Sequence, residues 1–155
     1  MKSLEDRFWE KVEKTDSCWV WTSSKTYGYG TFSIGGRAGR PHAAHRVSYE
    51  MANGPIPDGM DIYHVCHNRA CVNPDHLQAV TRKENLENLD PAQFATPRGV
   101  FWHKRAKKWT VSVSHNNRAI YGGLFTDKNE AIARSIELRN SLYTNNLKDR
   151  EIHEV

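Results

Sequence analysis

Between His64 and Leu77 the chain reads His64-Val-Cys66-His-Asn-Arg-Ala-Cys71-Val-Asn-Pro-Asp-His76-Leu. Two thiols with four residues between them, then an imidazole after four more, suit a tetrahedral zinc whose ligands come from a tight turn and the start of a helix. Cys18 is the remaining cysteine and can supply the fourth ligand from far away in the chain. Such a site would be structural, because four protein ligands leave no open position for water. It would also staple together a module too small to hold itself with a large core. Two alternatives stand beside this reading. His67 could take the place of His76, or the thiols could be small buried hydrophobes and His76 a core histidine.

The rest of the composition narrows the setting. Three cysteines is an odd number, and nothing near Met1 has a charged stretch followed by an apolar one, so the expectation is reduced thiols in an intracellular, cytoplasmic protein. No apolar run approaches the length of a membrane span, and the mean hydropathy of -0.74 describes a polar surface. The net charge of +4 is unevenly spread. Up to residue 90 there are 11 Lys/Arg against 12 Asp/Glu, or -1; from residue 91 onward 11 stand against 6, or +5. From Arg98 to Arg118 the cations Arg98, Lys104, Arg105, Lys107, Lys108 and Arg118 occur with no acidic residue among them, a footprint suited to phosphate.

Periodicity gives a coarse outline. Leu4, Phe8, Trp9 and Val12 are spaced for a short helix capped by Ser3. The aromatic, alternating stretches from Cys18 and from Tyr27 to Ile34 read as antiparallel strands, with a turn at Gly35-Gly36. His45 to Ala52 reads as helix, and the Gly/Pro-rich run Asn53 to Gly59 as loop. Met60 to Val65 is expected to be a strand and Asp75 to Leu89 a helix. Residues 91–97 look like a linker. Beyond it Val100-Phe-Trp102, Trp109 to Val113 and Ala119 to Tyr121 read as three strands, followed by a helix from Thr126 to about Tyr143 whose apolar face is Ala131, Ile132, Ser135, Ile136, Leu138 and Leu142. The last residues are polar and expected to fray.

If zinc takes the three thiols and His76, His64 is left over at a strand end, two residues before a metal-bound cysteine. A general base belongs in such a rigid position. Phosphodiester hydrolysis needs a deprotonated water in line with the scissile bond and a divalent cation on the developing charge. A neutral imidazole suits the first task and a hard oxygen ligand the second. Asn85 is expected on the helix after His76, with Asn88 one turn further.

From Phe8 to about Leu89 these residues resemble the HNH/His-Me finger nucleases, and within them the His-Cys box homing endonucleases and phage-type HNH proteins. Besides the run from His64 to Leu77, the resemblance rests on Cys18-Trp, Tyr27-Gly-Tyr-Gly, Ala44-His45-Arg46 and Gly54-Pro-Ile-Pro-Asp-Gly59. It implies a ββα-metal fold in which His64 is the general base, Cys18, Cys66, Cys71 and His76 hold a structural zinc, and Asn85 binds a catalytic magnesium or similar divalent cation. It also implies an arginine from the preceding hairpin on the phosphate, for which Arg40 or Arg37 is the candidate. Many members place Asp or His directly before the base, where this chain has Tyr63. The second zinc cluster of the His-Cys box group has no counterpart after Cys71.

The C-terminal segment resembles the APETALA/ethylene-response-factor fold through Arg98-Gly-Val, Lys108-Trp109, Tyr121-Gly-Gly-Leu-Phe125 and Glu130-Ala131. That likeness implies a three-stranded sheet laid in the DNA major groove, with Arg98, Trp102, Lys104, Arg105, Lys108, Trp109 and Arg118 as the contacts. Packing of Trp102 or Trp109 against the helix is the competing expectation. The whole is read as an α+β chain with a zinc-stapled nuclease domain over 1–90, a linker over 91–97, a DNA-binding domain over 98–145 made of three antiparallel strands on one helix, and a polar tail over 146–155. The expected activity is site-selective, homing-type cleavage of double-stranded DNA to 5′-phosphate and 3′-hydroxyl ends, by a phage- or mobile-element-encoded enzyme that can act as a homodimer and does not engage a membrane. A zinc-stapled DNA-binding regulator without cleavage is the alternative from another class.

Overall fold

Short elements dominate the first part of the chain, where turns at glycine and proline separate strands of two to five residues. A computed structural model describes residues 2–89, 96–146 and 149. It divides into two compact units, Met1–Arg82 and Lys83–Val155.

In the first unit, α1 (Leu4–Trp9) starts at a capping box. The Ser3 hydroxyl accepts from the Asp6 backbone N–H, and the Asp6 carboxylate accepts from that of Ser3. The helix is shorter than its apolar spacing suggests: Val12 already belongs to β1 (Val12–Lys14), which pairs antiparallel with β2 (Trp19–Trp21). A second sheet contains β3 (Lys25–Thr26), β4 (Tyr29–Ser33) and β5 (Pro41–Ala43), in that order. β3 and β4 are joined by Tyr27-Gly28, both with positive φ (51° and 87°), the backbone that matches the twist of a two-residue hairpin. α2 (Ala44–Asn53) follows directly. Phe8, Trp21, Phe32, Ala44, Val47 and Val72 form the core, with Phe8 meeting Phe32 edge-on at a centroid separation of 5.2 Å. Gly30 is dictated by this packing, since a Cβ there would come 2.6 Å from the Trp21 ring.

β6 (Met60–His64) pairs antiparallel with β7 (Leu77–Thr81), Ile62 opposite Ala79 and His64 opposite Leu77. The helix expected from Asp75 to Leu89 therefore does not exist as one element. Pro74–His76 is a single 3-10 turn opened by Asn73, β7 follows, and only Arg82–Glu87 is helical, as α3. Leu77, Ala79 and Val80 suit a strand as well as a helix, and pairing with β6 decides between them. Asn85 is thus separated from His76 by a strand and is not on a continuous helix with it.

The second unit contains α3 except for its first residue, then β8 (Val100–His103), β9 (Lys108–His115) and β10 (Arg118–Phe125) in one antiparallel sheet of order β10-β9-β8. α4 (Lys128–Leu142) is capped by Asp127, whose carboxylate accepts from the N–H groups of Asn129 and Glu130. It lies on the sheet through Ala131, against Val100 and Val111. Gly122 permits the close approach, since its absent Cβ would stand 2.6 Å from Val111 and 2.7 Å from Leu138. Arg139 is buried on the same helix, paired with Asp149 and donating to the Arg98 carbonyl and the Ser135 hydroxyl. Of the expected linker, residues 91–95 lie outside the described residues. So does the expected tail apart from Asn146 and Asp149, and these two are buried rather than frayed.

Candidate active site

Backbone pairing brings together a cluster of side chains that could hold a metal ion. Trp21 donates to the Ala70 carbonyl and Val72 to that of Trp19, so β2 runs alongside residues 70–72 and brings Cys18 to the 66–76 loop. Asn73 braces the same junction. Its amide donates to the Ser17 carbonyl at 2.9 Å while its oxygen accepts from Asp75 N–H at 3.1 Å. The donor atoms of Cys18, Cys66, Cys71 and His76 consequently all lie within 4.8 Å of one another.

The arrangement suits a tetrahedral ion. His76 Nδ1 is 3.7 Å from Cys18 Sγ and 3.6 Å from Cys71 Sγ. A tetrahedron with metal–sulfur and metal–nitrogen bonds of about 2.3 and 2.0 Å has a sulfur–nitrogen edge of about 3.5 Å. Burial pushes the Cys71 thiol up to about 12 and also raises Cys66, so these sulfurs need a cation to become thiolates at neutral pH. Asn73 N–H, 3.4 Å from Cys71 Sγ, already points a donor at that sulfur. His67 is outside the cluster; its ring meets the hydroxyl of Tyr63 instead.

His64, the last residue of β6, is buried. Its Nε2 lies 3.1 Å from the Cys71 carbonyl. A carbonyl only accepts, so Nε2 carries the proton and Nδ1 keeps the lone pair. Burial is the main reason its pKa falls to about 4, which leaves the imidazole neutral at physiological pH. Two rings pack on it, His45 at 4.7 Å and Tyr29 at 5.8 Å between centroids. Arg69, from the loop between the clustered cysteines, lays its guanidinium over Tyr29 at 5.5 Å. Tyr29, His45 and Arg69 stand within the sequence motifs, but no local signal there assigns them a role.

The other expected residues lie on other elements. Arg40 is exposed just before β5, and Arg37 belongs to the 3-10 turn Gly36–Ala38. Asn85 is on α3, whose last turn is gripped within the second unit. Arg98 donates from Nη1 to the Glu87 carbonyl at 2.7 Å and from Nη2 to that of Leu86 at 3.0 Å. The buried Glu87 carboxylate accepts from Thr144 N–H and Oγ1.

Chemistry and sequence kinship converge on the same stretch. Residues 42–87 match the HNH endonuclease family. The uncharacterized gene 5.3 protein of Enterobacteria phage T3 is 40% identical over 62 residues, which is 38% of this chain and 61% of that protein. Protein 7.7 of Escherichia phage T7 is 36% identical over 75 residues, 48% of this chain and 55% of that protein. Protein 3.8 of the same phage is 33% identical over 82 residues, covering 48% of this chain and 68% of its own length. The chain belongs to the family of these phage proteins and carries an HNH endonuclease domain. It spans less than two thirds of the gene 5.3 protein and of protein 7.7. No solved structure matches it. The HNH domain contains His64, Asn85, Arg69 and three of the clustered metal-type donors, and Cys18 reaches the cluster from before it.

Outside the HNH domain, register sorts the expected DNA contacts onto two faces of the C-terminal sheet. Trp102, Trp109 and Phe125 pair in one row, and Trp109 and Phe125 pack against the cluster under α4. Trp102 meets Trp109 edge-on at 5.0 Å and remains 48% exposed. The opposite face carries the row Phe101, Thr110, Leu124, then Tyr121 beside Ser112 and Lys108 beside His103. Phe101, Tyr121 and Leu124 are exposed there. Lys104, Arg105 and Lys108 are exposed at the β8–β9 end, and Arg118 is exposed where β10 begins. Arg98 is partly buried, its guanidinium committed to α3 and to the Tyr143 ring at 5.2 Å. Among the described residues no helix is long and apolar enough to cross a membrane.

Proposed function

We propose that this chain is a metal-dependent endodeoxyribonuclease that cuts double-stranded DNA at selected sites in the manner of a phage homing enzyme. The observation that carries the reading is the bond from His64 Nε2–H to the carbonyl of Cys71, a residue whose sulfur joins the metal-type cluster. One residue thereby fixes both the staple and the tautomer of the base.

His64 Nδ1 takes a proton from a water as the water oxygen attacks phosphorus. The bond from phosphorus to the 3′ oxygen breaks, leaving a 5′-phosphate, and the departing oxygen gains a proton from solvent as a 3′-hydroxyl. Cys18, Cys66, Cys71 and His76 would hold a structural zinc, and Asn85 would offer its carboxamide oxygen to a magnesium-type ion. When bound, that second cation supplies charge stabilisation to the phosphate and the leaving oxygen. The open face of the C-terminal sheet supports a DNA-reading role for the second unit, with basic side chains at its margin for phosphates and Phe101, Tyr121 and Leu124 for apolar contact with groove edges.

The test is incubation of the purified protein with supercoiled plasmid and magnesium, followed by end analysis. Nicked or linear DNA with ligatable 5′-phosphate ends is expected. Intact plasmid under conditions where the protein demonstrably binds it would favour a DNA-binding regulator.

A further inference from the structure

Charge on the non-bridging oxygens of a phosphodiester is stabilised by a positioned cation, and the hairpin arginines expected from the sequence lie toward the far end of the β4–β5 ladder from Tyr29. In the β4–β5 ladder Ser33 pairs with Pro41, so Arg40 lies one step beyond that end. Tyr29, which touches His64, is four residues back along β4, about 13 Å away at the rise of a strand. Arg37 belongs to the same distant connection.

We propose that Arg69 is the phosphate-holding residue of this site. It sits in the loop between Cys66 and Cys71, so the metal-type cluster that orients His64 also fixes the backbone of Arg69. Its guanidinium lies over the Tyr29 ring, and that ring packs against His64 and His45. Nη1 donates to the Tyr27 carbonyl at 3.4 Å, a long bond, presented by a hairpin turn whose Gly28 brings the chain against the Arg69 stem. Among the described residues it makes no other hydrogen bond or ion pair. Four of the five guanidinium N–H donors therefore stay available, held by an aromatic face in the fork geometry that meets two phosphate oxygens at once. Arg46 is another cation near His45, but no bond among the described residues fixes it.

The inference rests on the nuclease reading above, and the experiment separates the two. Single-turnover cleavage is measured for the wild-type chain and for Arg69→Gln, Arg69→Lys, Arg40→Gln and Arg46→Gln, with zinc content and DNA affinity determined for each. Arg69→Gln is expected to slow cleavage about 100-fold, and at least tenfold more than either Arg40→Gln or Arg46→Gln. It should retain zinc and bind DNA within about twofold of the wild type, and Arg69→Lys should recover part of the rate. An unchanged rate in Arg69→Gln, a larger loss in Arg40→Gln or Arg46→Gln, or a loss that accompanies release of zinc would overturn the assignment and leave the nuclease reading standing. A wild-type chain that binds DNA without cutting it would overturn both.

Discussion

His64 and Cys71 are joined by a 3.1 Å hydrogen bond from an imidazole Nε2–H to a backbone carbonyl, while the Cys71 sulfur stands 3.6 Å from His76 Nδ1. The same residue thus faces two ways. Its side chain belongs to a cluster of four soft donors, and its main chain dictates which nitrogen of His64 can accept a proton. Because the carbonyl belongs to a loop held at both ends by the clustered side chains, loosening that cluster would loosen the hold on His64 as well.

Zinc content and activity should therefore fall together. The purified chain is expected to carry one equivalent of zinc. Cys18→Ala, a change far from the 66–76 loop in sequence, should release the ion and destabilise the first unit by several kcal/mol. Elemental analysis paired with thermal melting checks this. Retention of both zinc and melting temperature in Cys18→Ala would show that Cys18 is not a ligand of the ion.

Acid should weaken the first unit through His45. This ring is only 8% exposed, and burial, then the neighbouring His64 and Arg46, push its pKa down to about 3. The unfolded imidazole titrates near 6.5, so below that pH the unfolded chain binds a proton that the folded one refuses. Stability is fully present above pH 6.5 and declines as pH falls toward 3, by about 1.4 kcal/mol per pH unit from this one group. Denaturant titrations at pH 7 and pH 5 should show a loss about 2 kcal/mol smaller in His45→Phe than in the wild type. Equal losses in the two would contradict the burial of a neutral His45.

The two faces of the C-terminal sheet should respond differently to truncation. Trp109→Ala removes a ring from the cluster under α4 and is expected to cost about 3 kcal/mol of stability. Tyr121→Ala, on the open face at 65% exposure, should leave stability nearly unchanged and weaken DNA binding. The reverse pattern would place the DNA contact on the other face.

Arg98 and Lys108 offer a parallel contrast. Lys108→Ala should reduce the salt dependence of DNA affinity by about one counterion. Arg98→Ala should leave that slope alone and lower stability by about 2 kcal/mol, through two unpaired carbonyls at the end of α3. Salt titrations of binding and denaturant melts distinguish the two.

The residues whose clustering was legible in the sequence are those whose chemistry fixes their spacing. Cysteine and histidine at intervals that close around one ion leave few readings, and the site's donor atoms come together as that pattern requires. The three strands and helix of the second unit were legible too, since alternation and the Asp127 cap are local signals. Less local relationships were not. The apolar spacing of Leu77 to Val80 fits two periods, and only β6 chooses between them. Thr81-x-x-Glu84 is a capping-box pattern that marks the true helix start. A basic stripe likewise cannot show that Arg98 turns inward while Lys108 does not. Nor does the sequence reveal that the hairpin turn at Tyr27-Gly28 folds back onto Arg69, because that contact spans 42 residues.

The most direct measurement is single-turnover cleavage by His64→Ala with its zinc content monitored. A variant that keeps one zinc per chain, binds DNA like the wild type and cuts at least 100-fold more slowly is the predicted result. Cleavage at the wild-type rate by a zinc-loaded His64→Ala would contradict the assignment of this imidazole as the base.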